Sequence, residues 1–93
     1  MPLLSFQWDD EKALRNLRKH GVSFREAASV FADPISISID DRDHGGHERR
    51  SVLVGLSSRG RYLIVAYTER GAAIRIINAR KATRHERKRY QEP

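Results

Sequence analysis

Arginine is the residue type in this sequence that is best suited to chemistry, and it is concentrated in the second half. Fourteen of the eighteen basic residues are arginine, whose planar fork binds phosphate through two parallel hydrogen bonds. Residues 1–46 contain six Lys/Arg and eight Asp/Glu, whereas residues 47–93 contain twelve and four, a net charge of +8. This distribution favours contact with nucleic acid or an acidic protein, although a solvated basic surface explains the charge alone equally well.

Arg75 is the most informative arginine because it lies between Ile74 and Ile76 in a predicted strand. One face of that strand would otherwise be apolar, so the guanidinium must meet water or an anion there. The ordinary alternative is an edge-strand arginine that pairs with a carboxylate such as Glu69 or Glu48. The residues alone leave both interpretations open.

His20 is the side chain best suited to proton transfer, because an unperturbed imidazole has a pKa of about 6.5. It stands directly before Gly21, where an imidazolium would simply complement the C-terminus of a helix. Capping and proton transfer remain equally open. Two other histidines, His44 and His47, flank a pair of glycines near two aspartates, but their irregular spacing and the lack of cysteine argue against a metal site. We therefore predict no bound metal and no cofactor.

Periodicity and turn residues predict an α+β fold in a single domain of residues 1–93. Ala13, Leu14 and Leu17 supply an apolar stripe for the first helix, and Gly21 is placed to end it. Two capping boxes, at residues 23–26 and 83–86, mark later helix starts. Strands are expected at 5–8, 35–39, 51–57, 61–69 and 73–79, and helices at 10–20, from 23 to about 31, and from between 78 and 83 to the end. Short connections make the last strands antiparallel hairpins, so we expect helices packed on a mainly antiparallel sheet as a small sandwich.

The alternation of residues 35–39 predicts a half-buried strand. Ile35, Ile37 and Ile39 share one face and two serines share the other, as expected for a strand with a period of two. The following residues, 40–47, are polar and contain two glycines, so they are expected to form an exposed loop.

Composition excludes several classes of protein. The sequence contains no cysteine, so disulfides and thiolate zinc sites are not available. Its longest apolar runs are too short to span a bilayer, and the first eight residues lack the features of a signal peptide. We expect a cytoplasmic protein without a membrane partner.

Short motifs follow one another along nearly the whole chain. They are Phe6-x-Trp8-Asp9, Asn16-x-x-Lys19-His20-Gly21-Val22-Ser23-Phe24, Glu26-Ala27, Val30-Phe31-x-Asp33-Pro34, Glu48-x-Arg50, Tyr67-Thr68-Glu69-Arg70-Gly71, Ile74-Arg75-Ile76-Ile77-x-Ala79-Arg80-Lys81-Ala82 and Glu86-Arg87-x-x-Tyr90. In this order and spacing they resemble the motifs of BrnT toxins. Two positions depart from the pattern. Asn78 stands where serine is expected, and we expect it to act as a helix cap, while Arg49 adds a cation between Glu48 and Arg50.

This resemblance implies a RelE-like fold and a type II toxin that cleaves RNA without a metal and so inhibits translation. It also implies a BrnA-like antitoxin with a ribbon-helix-helix part, in a 2:2 heterotetramer that reaches DNA only through the antitoxin. Metal-free cleavage uses the 2′-OH of the substrate as nucleophile, so the protein must supply a base, an acid and cations. The residues that the resemblance and this chemistry select are His20, Glu48, Arg50, Arg70, Arg75 and Arg80.

Ordinary explanations also exist for Glu48, Arg70 and Arg80. Glu48 could act as the base, orient Arg50, or form a surface ion pair of little value. Arg70 precedes a glycine and could be a hairpin residue, and Arg80 could be a donor at a helix start.

A second set of residues is suited to binding RNA rather than cleaving it. Trp8 and Tyr67 have rings on which bases can stack, although each is more typical of a core residue. The cations of the last helix could follow an RNA backbone or bind the antitoxin, or they could simply be solvated. The predicted RNA contacts are Trp8, Lys19, Tyr67, Lys81, Arg84 and Arg87.

The competing class is a non-enzymatic module that binds DNA or a protein through the basic half. No recognition-helix motif is visible, and the charges lie on strands and a short terminal helix, which argues against a DNA reader. An RNA-cleavage assay in the presence of EDTA separates the two classes.

Overall fold

A five-stranded sheet with helices on its two faces is seen in the computed structural model, which describes residues 4–41 and 50–91. The α+β class predicted from the sequence is therefore confirmed. Val30–Ala32 adds one turn of 3-10 helix after the second helix. The elements are β1 (Ser5–Gln7), α1 (Asp10–His20), α2 (Phe24–Ser29), β2 (Ile37–Asp41), β3 (Arg50–Leu56), β4 (Tyr62–Arg70), β5 (Ala73–Lys81) and α3 (Arg84–Gln91).

The strand order in the sheet is β1-β5-β4-β3-β2. Strands β2 to β5 pair antiparallel with their sequence neighbours, and β1 pairs parallel with β5. The β4–β5 turn contains Gly71 at φ 59°, a left-handed conformation that glycine adopts without a steric penalty. The tight hairpins thus fix the register of the strands that carry Arg50, Arg70, Arg75 and Arg80.

Local hydrogen bonds explain where α1 begins and ends. The Asp9 carboxylate accepts from the backbone N–H groups of Glu11 (2.8 Å) and Lys12 (3.1 Å), as an N-cap does. Gly21, at φ 69°, donates its N–H to the Leu17 carbonyl at 2.8 Å, which closes the C-terminus.

The capping box predicted at the start of α2 is only half formed. Ser23 accepts from the Glu26 N–H at 3.0 Å, but the Glu26 carboxylate does not return to Ser23. It accepts instead from Ser57 Oγ (2.7 Å) and Arg61 Nε (2.9 Å), and it is 5% exposed. These charge-assisted bonds, chiefly those from Arg61, lower the pKa of Glu26 and tie α2 to the β3–β4 turn.

The hydrophobic core lies between one sheet face and the helices α1 and α2. We call this the helix-covered face. Its strand residues alternate along β3, β4 and β5, and Gly55 permits close contact, because a Cβ there would lie 2.9 Å from atoms of Val30, Asp33 and Ser36. The buried cluster comprises Val22, Phe24, Ala27, Val30, Leu53, Leu63, Val65, Tyr67, Ile74, Ile76 and Ala79.

The prediction that the isoleucine strand is half-buried through its isoleucines is wrong. Strand β2 begins only at Ile37, and the exposed fractions are 70% for Ile35, 45% for Ile37 and 55% for Ile39. The serine side lies on the helix-covered face instead, where the exposed Ser38 forms a hydrogen bond with Tyr67, with Oγ and Oη 2.6 Å apart. The physical reason is that α1 and α2 cover the other face of the sheet.

The opposite sheet face is covered in part by α3, and we call it the open face. Its apolar residues line a groove of about 430 Å³ beneath α3, with Ile37, Ile39, Val52, Val54 and Ile64 among its walls. Tyr90 fixes the end of α3, because its hydroxyl donates to the Asp33 carboxylate at 2.7 Å. Burial and that carboxylate raise the pKa of Tyr90 to about 12. No helix in the described part of the chain is both long and apolar enough to cross a membrane.

Candidate functional site

Three residues on neighbouring strands form a polar row across the open face. Arg50 on β3 is the register partner of Thr68 on β4, and Thr68 is the partner of Arg75 on β5. We call these three residues the arginine row. Arg70 follows two positions later on β4, so it projects from the same face. The pairing thus brings together three of the arginines that the sequence selected for catalysis, although they are up to 25 positions apart in the sequence.

The arginine row contains two buried polar atoms that lack a hydrogen-bond partner. One is the Thr68 hydroxyl oxygen, in a residue that is 2% exposed, and the other is Arg50 Nε. Leaving a buried donor or acceptor unsatisfied costs about 1–3 kcal/mol, so native structures seldom keep such groups without a reason. Sequence reasoning did not single out Thr68, because alternation along one strand does not show which residues flank it.

Of the two carboxylate partners considered for Arg75, the structure describes only Glu69. Glu69 follows Thr68 directly and so points to the helix-covered face, while Glu48 lies outside the described residues. Among the described residues, the acid whose pKa responds to the charge of Arg75 is Asp9. The pKa of Asp9 is lowered mainly by the hydrogen bond from the Lys12 N–H and to a smaller extent by the charge of Arg75. In the described part of the chain no salt bridge holds the Arg75 guanidinium.

Arg80 is engaged in an ion pair at the far end of the same face. Its guanidinium donates to both oxygens of Glu86 on α3, each at 2.8 Å, and this contact holds the pKa of Glu86 at about 2. Glu86 also accepts from the Thr83 N–H at 2.9 Å, while Thr83 Oγ1 accepts from the Glu86 N–H at 3.1 Å. The capping box predicted there is therefore confirmed, and Arg80 anchors the start of α3.

A second cationic feature lies where α1 runs beside β5, and we call it the edge groove. Asn16 fixes this contact, because its side chain donates to the carbonyls of Val22 (2.9 Å) and Ala79 (2.8 Å) and accepts from the Ala79 N–H (3.1 Å). The groove has a volume of about 500 Å³. It is lined by Lys12, Arg15, Asn16, Lys19, His20, Ile77, Asn78 and Arg80.

The edge groove brings His20 together with Lys19 and Arg80, all three of which the sequence selected. Sequence reasoning missed the role of Asn16, which is 7% exposed, because it expected the apolar stripe to face the core. Leu14 and Leu17 of that stripe are instead 55% and 47% exposed. A polar residue that is buried on a helix rich in charged residues indicates a contact with a strand edge only once that edge is known to lie beside the helix.

Asn78 does not cap a helix, contrary to the expectation from the sequence. It lies within β5, opposite Ala66, and is exposed on the open face between Arg75 and Arg80. The helix cap is Thr83, five residues later.

The aromatic residues proposed to stack on bases lie away from the arginine row. Tyr67 is 5% exposed, and its ring packs edge-on against Phe31 with centroids 5.0 Å apart. Trp8 packs against Phe24 at 6.1 Å and lines a groove on the helix side of the molecule with Leu14. Both rings therefore take part in packing in and around the core.

The remaining predicted RNA contacts are exposed cations near the C-terminus. Lys81 ends β5 and Arg84 begins α3, and both are exposed. Arg87 lies over the ring of Tyr62, 5.7 Å from its centroid, a distance that permits a cation–π interaction. Glu48 and the His44 and His47 pair lie outside the described residues. Within residues 4–41 and 50–91, no group of three or more potential metal-binding side chains occurs.

Comparison with known proteins agrees with the resemblance seen in the sequence. A family model described as the ribonuclease toxin BrnT of type II toxin–antitoxin systems matches residues 8–86. A solved structure, the 1.1 Å crystal structure of the Brucella abortus ribonuclease toxin BrnT, superimposes with a TM-score of 0.64 at 19% sequence identity. The match covers 88% of this chain and all of that one, while a search of curated protein sequences gave no match. Because the family model spans most of the sequence, the chain belongs to the BrnT family of ribonuclease toxins of type II toxin–antitoxin systems.

Proposed function

We propose that this protein is an endoribonuclease that cleaves RNA without a metal, through attack by the 2′-OH of the substrate. The observation that carries the proposal is the arginine row, with Arg70 on the same face, in a member of a ribonuclease family. Cytoplasmic action, inhibition of translation and the relationship to RelE-like toxins belong to the same proposal and rest on the resemblance.

The reaction transfers the phosphoryl group within the RNA. A base removes the proton of the 2′-OH, the oxygen bonds to the adjacent phosphorus, and the bond to the 5′-oxygen breaks as that oxygen takes a proton. The products carry a 2′,3′-cyclic phosphate and a 5′-hydroxyl. Negative charge accumulates on the phosphoryl oxygens in the transition state, and guanidinium groups held on rigid strands stabilise it. Arg50, Arg70 and Arg75 are assigned this role.

The path of the RNA follows from the distribution of cations. Arg75, Asn78 and Arg80 project along β5 on the open face, and Arg80 also lines the edge groove beside His20 and Lys19. We place the scissile phosphate at the arginine row and the neighbouring phosphates along β5 toward this groove. His20 and Glu48 remain the candidates for proton transfer, and Arg80 serves mainly to hold α3.

The test is cleavage of a single-stranded RNA by purified protein in buffer with EDTA, followed by analysis of the product ends. We expect fragments that end in 2′,3′-cyclic phosphate. Intact RNA at micromolar protein, or cleavage that requires an added divalent metal, would contradict the proposal. Binding of duplex DNA without any RNA cleavage would instead support the non-enzymatic alternative.

The second part of the proposal concerns the antitoxin that a type II family implies. We propose a BrnA-like ribbon-helix-helix partner, in a 2:2 complex, that reads DNA on behalf of both proteins and occupies the cationic open face. Support comes from the net charge of +8 over residues 47–93, because complementary charge speeds association with an acidic segment. RNA binding to an inactive Arg75→Ala variant should fall when the protein encoded by the neighbouring gene is added. Simultaneous, undiminished binding of both would exclude a shared surface.

A further inference from the structure

We infer that the Thr68 hydroxyl and Arg50 Nε together bind an oxygen of the substrate phosphate. This inference deepens the proposed function, because it names a substrate-binding residue within the arginine row. Thr68 has no role in the sequence-based assignment, where it appears only as part of a motif.

The first support is the unused hydrogen-bonding capacity of Thr68. Its hydroxyl is buried, and neither its donor nor its acceptor function is used. The polar groups of the helix-covered face differ in this respect, since Tyr67 pairs with Ser38 and Asn16 binds both backbone groups of Ala79. A valine has almost the same shape as threonine and suits a strand equally well. The hydroxyl at position 68 therefore adds nothing to packing that valine would not provide.

The second support is the chemistry around that hydroxyl. The residues opposite Thr68 on both neighbouring strands are arginines, and one of them, Arg50, has its Nε also buried without a partner. Nε–H can only donate, so a group that satisfies both orphan atoms must be an acceptor. A phosphate offers several acceptor oxygens and the negative charge that two guanidinium groups require. The guanidinium groups at the ends of the long arginine side chains can reorient toward such an anion.

The consequence is that stability and activity respond oppositely to Thr68→Val. Removing the hydroxyl relieves an unsatisfied buried group, so the melting temperature should stay the same or rise. The same change removes one ligand of the phosphate. Loss of a hydrogen bond to a charged group lowers binding or rate by about 10- to 100-fold. Thr68→Ser keeps the hydroxyl and should retain activity within about threefold.

The experiment compares the full-length wild type, Thr68→Val and Thr68→Ser in three measurements. These are thermal unfolding, cleavage kinetics with kcat and KM separated, and binding of a 2′-O-methyl RNA oligonucleotide that cannot be cleaved. Support is a valine variant that melts at or above the wild-type temperature, cleaves about 10- to 100-fold more slowly and binds the oligonucleotide more weakly, with the serine variant close to wild type.

Three results would overturn the inference. One is a valine variant that cleaves RNA as fast and binds the oligonucleotide as tightly as the wild type, which would mean that the hydroxyl contacts water and not the phosphate. Another is a valine variant that melts much earlier and loses activity only in proportion to its unfolded fraction, which would make Thr68 structural. The third is a wild type that does not bind the oligonucleotide. If the wild type binds without cleaving, the proposed function fails while the binding comparison still decides the role of Thr68.

Discussion

The helix-covered face and the arginine row on the open face differ in whether their buried polar groups are hydrogen-bonded. On the helix-covered face, Asn16, Glu26 and Ser38 are each hydrogen-bonded to specific partners within or beside the core. On the open face, Thr68 Oγ1 and Arg50 Nε are buried and unpartnered. Satisfied buried groups contribute to stability, whereas unsatisfied ones reduce it. The helix-covered face thus contributes to the stability of the fold, and we propose that the arginine row on the open face binds an anionic ligand.

The largest effect that this comparison predicts is on activity after Arg75→Ala. Loss of one group that stabilises transition-state charge typically lowers the rate by about 100- to 1000-fold. Stability should change by less than about 1 kcal/mol, because no described salt bridge is lost. Cleavage rate and chemical denaturation measure the two effects. The matched control is Arg25→Ala, an exposed arginine on α2, which should leave both nearly unchanged; an early-melting Arg75→Ala would show that Arg75 is structural.

The next effect is on stability after Glu26→Gln. Breaking a buried ion pair by changing one partner costs about 3 kcal/mol, and the Glu26 side chain is 3% exposed while Arg61 is 25% exposed. Denaturant unfolding should show this loss, and the rate per folded molecule should not change. Glu11→Gln is the control, because Glu11 forms an exposed pair with Arg15 at 4.0 Å that is worth about 0.5 kcal/mol or less. Equal losses in the two variants would refute the assignment.

A smaller loss of stability is expected from Gly55→Ala on the helix-covered face. The added methyl group would meet atoms of Val30, Asp33 and Ser36 at 2.9 Å, and such overpacking costs about 1–3 kcal/mol. Val54→Ala, the preceding residue on the open face, should cost under about 1 kcal/mol because Val54 is only half-buried. A greater cost for Val54→Ala in denaturant unfolding would mean that the open face also supports the fold.

The smallest effect concerns acid. The folded state lowers the pKa of Glu26, chiefly through hydrogen bonds from Arg61, and lowers that of Glu86 to about 2 through Arg80. A lowered folded-state pKa gives stability that is present above the ordinary value of 4.5 and lost as pH falls through the folded-state pKa. We expect stability to decline below about pH 4.5 and both Glu86→Gln and Glu26→Gln to flatten that decline, because each removes a carboxylate whose pKa is lowered in the folded state. A pH dependence unchanged in both variants would contradict these assignments.

The parts of the fold that were predictable from the sequence are those set by local chemistry. The ends of α1 follow from the Asp9 cap and the left-handed Gly21, and the hairpin with Gly71 follows from its turn residues. These features depend on residues a few positions apart. The face of β2 that is covered could not be predicted in this way, because serine and isoleucine alternate regardless of where the helices pack.

The candidate site shows the same division. The resemblance selected Arg50, Arg70 and Arg75 individually, but only the strand register shows that they share one face with Thr68 between two of them. The role of Asn16 was equally hidden, since its partner Ala79 is 63 residues away in the sequence. Long-range pairing decides both features, and a single sequence does not reveal it.

The measurement that tests the account most directly is RNA cleavage in EDTA by four proteins, namely the wild type, Arg75→Ala, Glu26→Gln and the double variant. It is made under conditions in which all four are folded, and each rate is expressed per folded molecule. We predict that the wild type and Glu26→Gln cleave at one rate, and that Arg75→Ala and the double variant share a rate about 100- to 1000-fold lower. Loss of wild-type cleavage in EDTA, or a Glu26→Gln variant as slow as Arg75→Ala, would contradict the separation of stability from chemistry on the two faces.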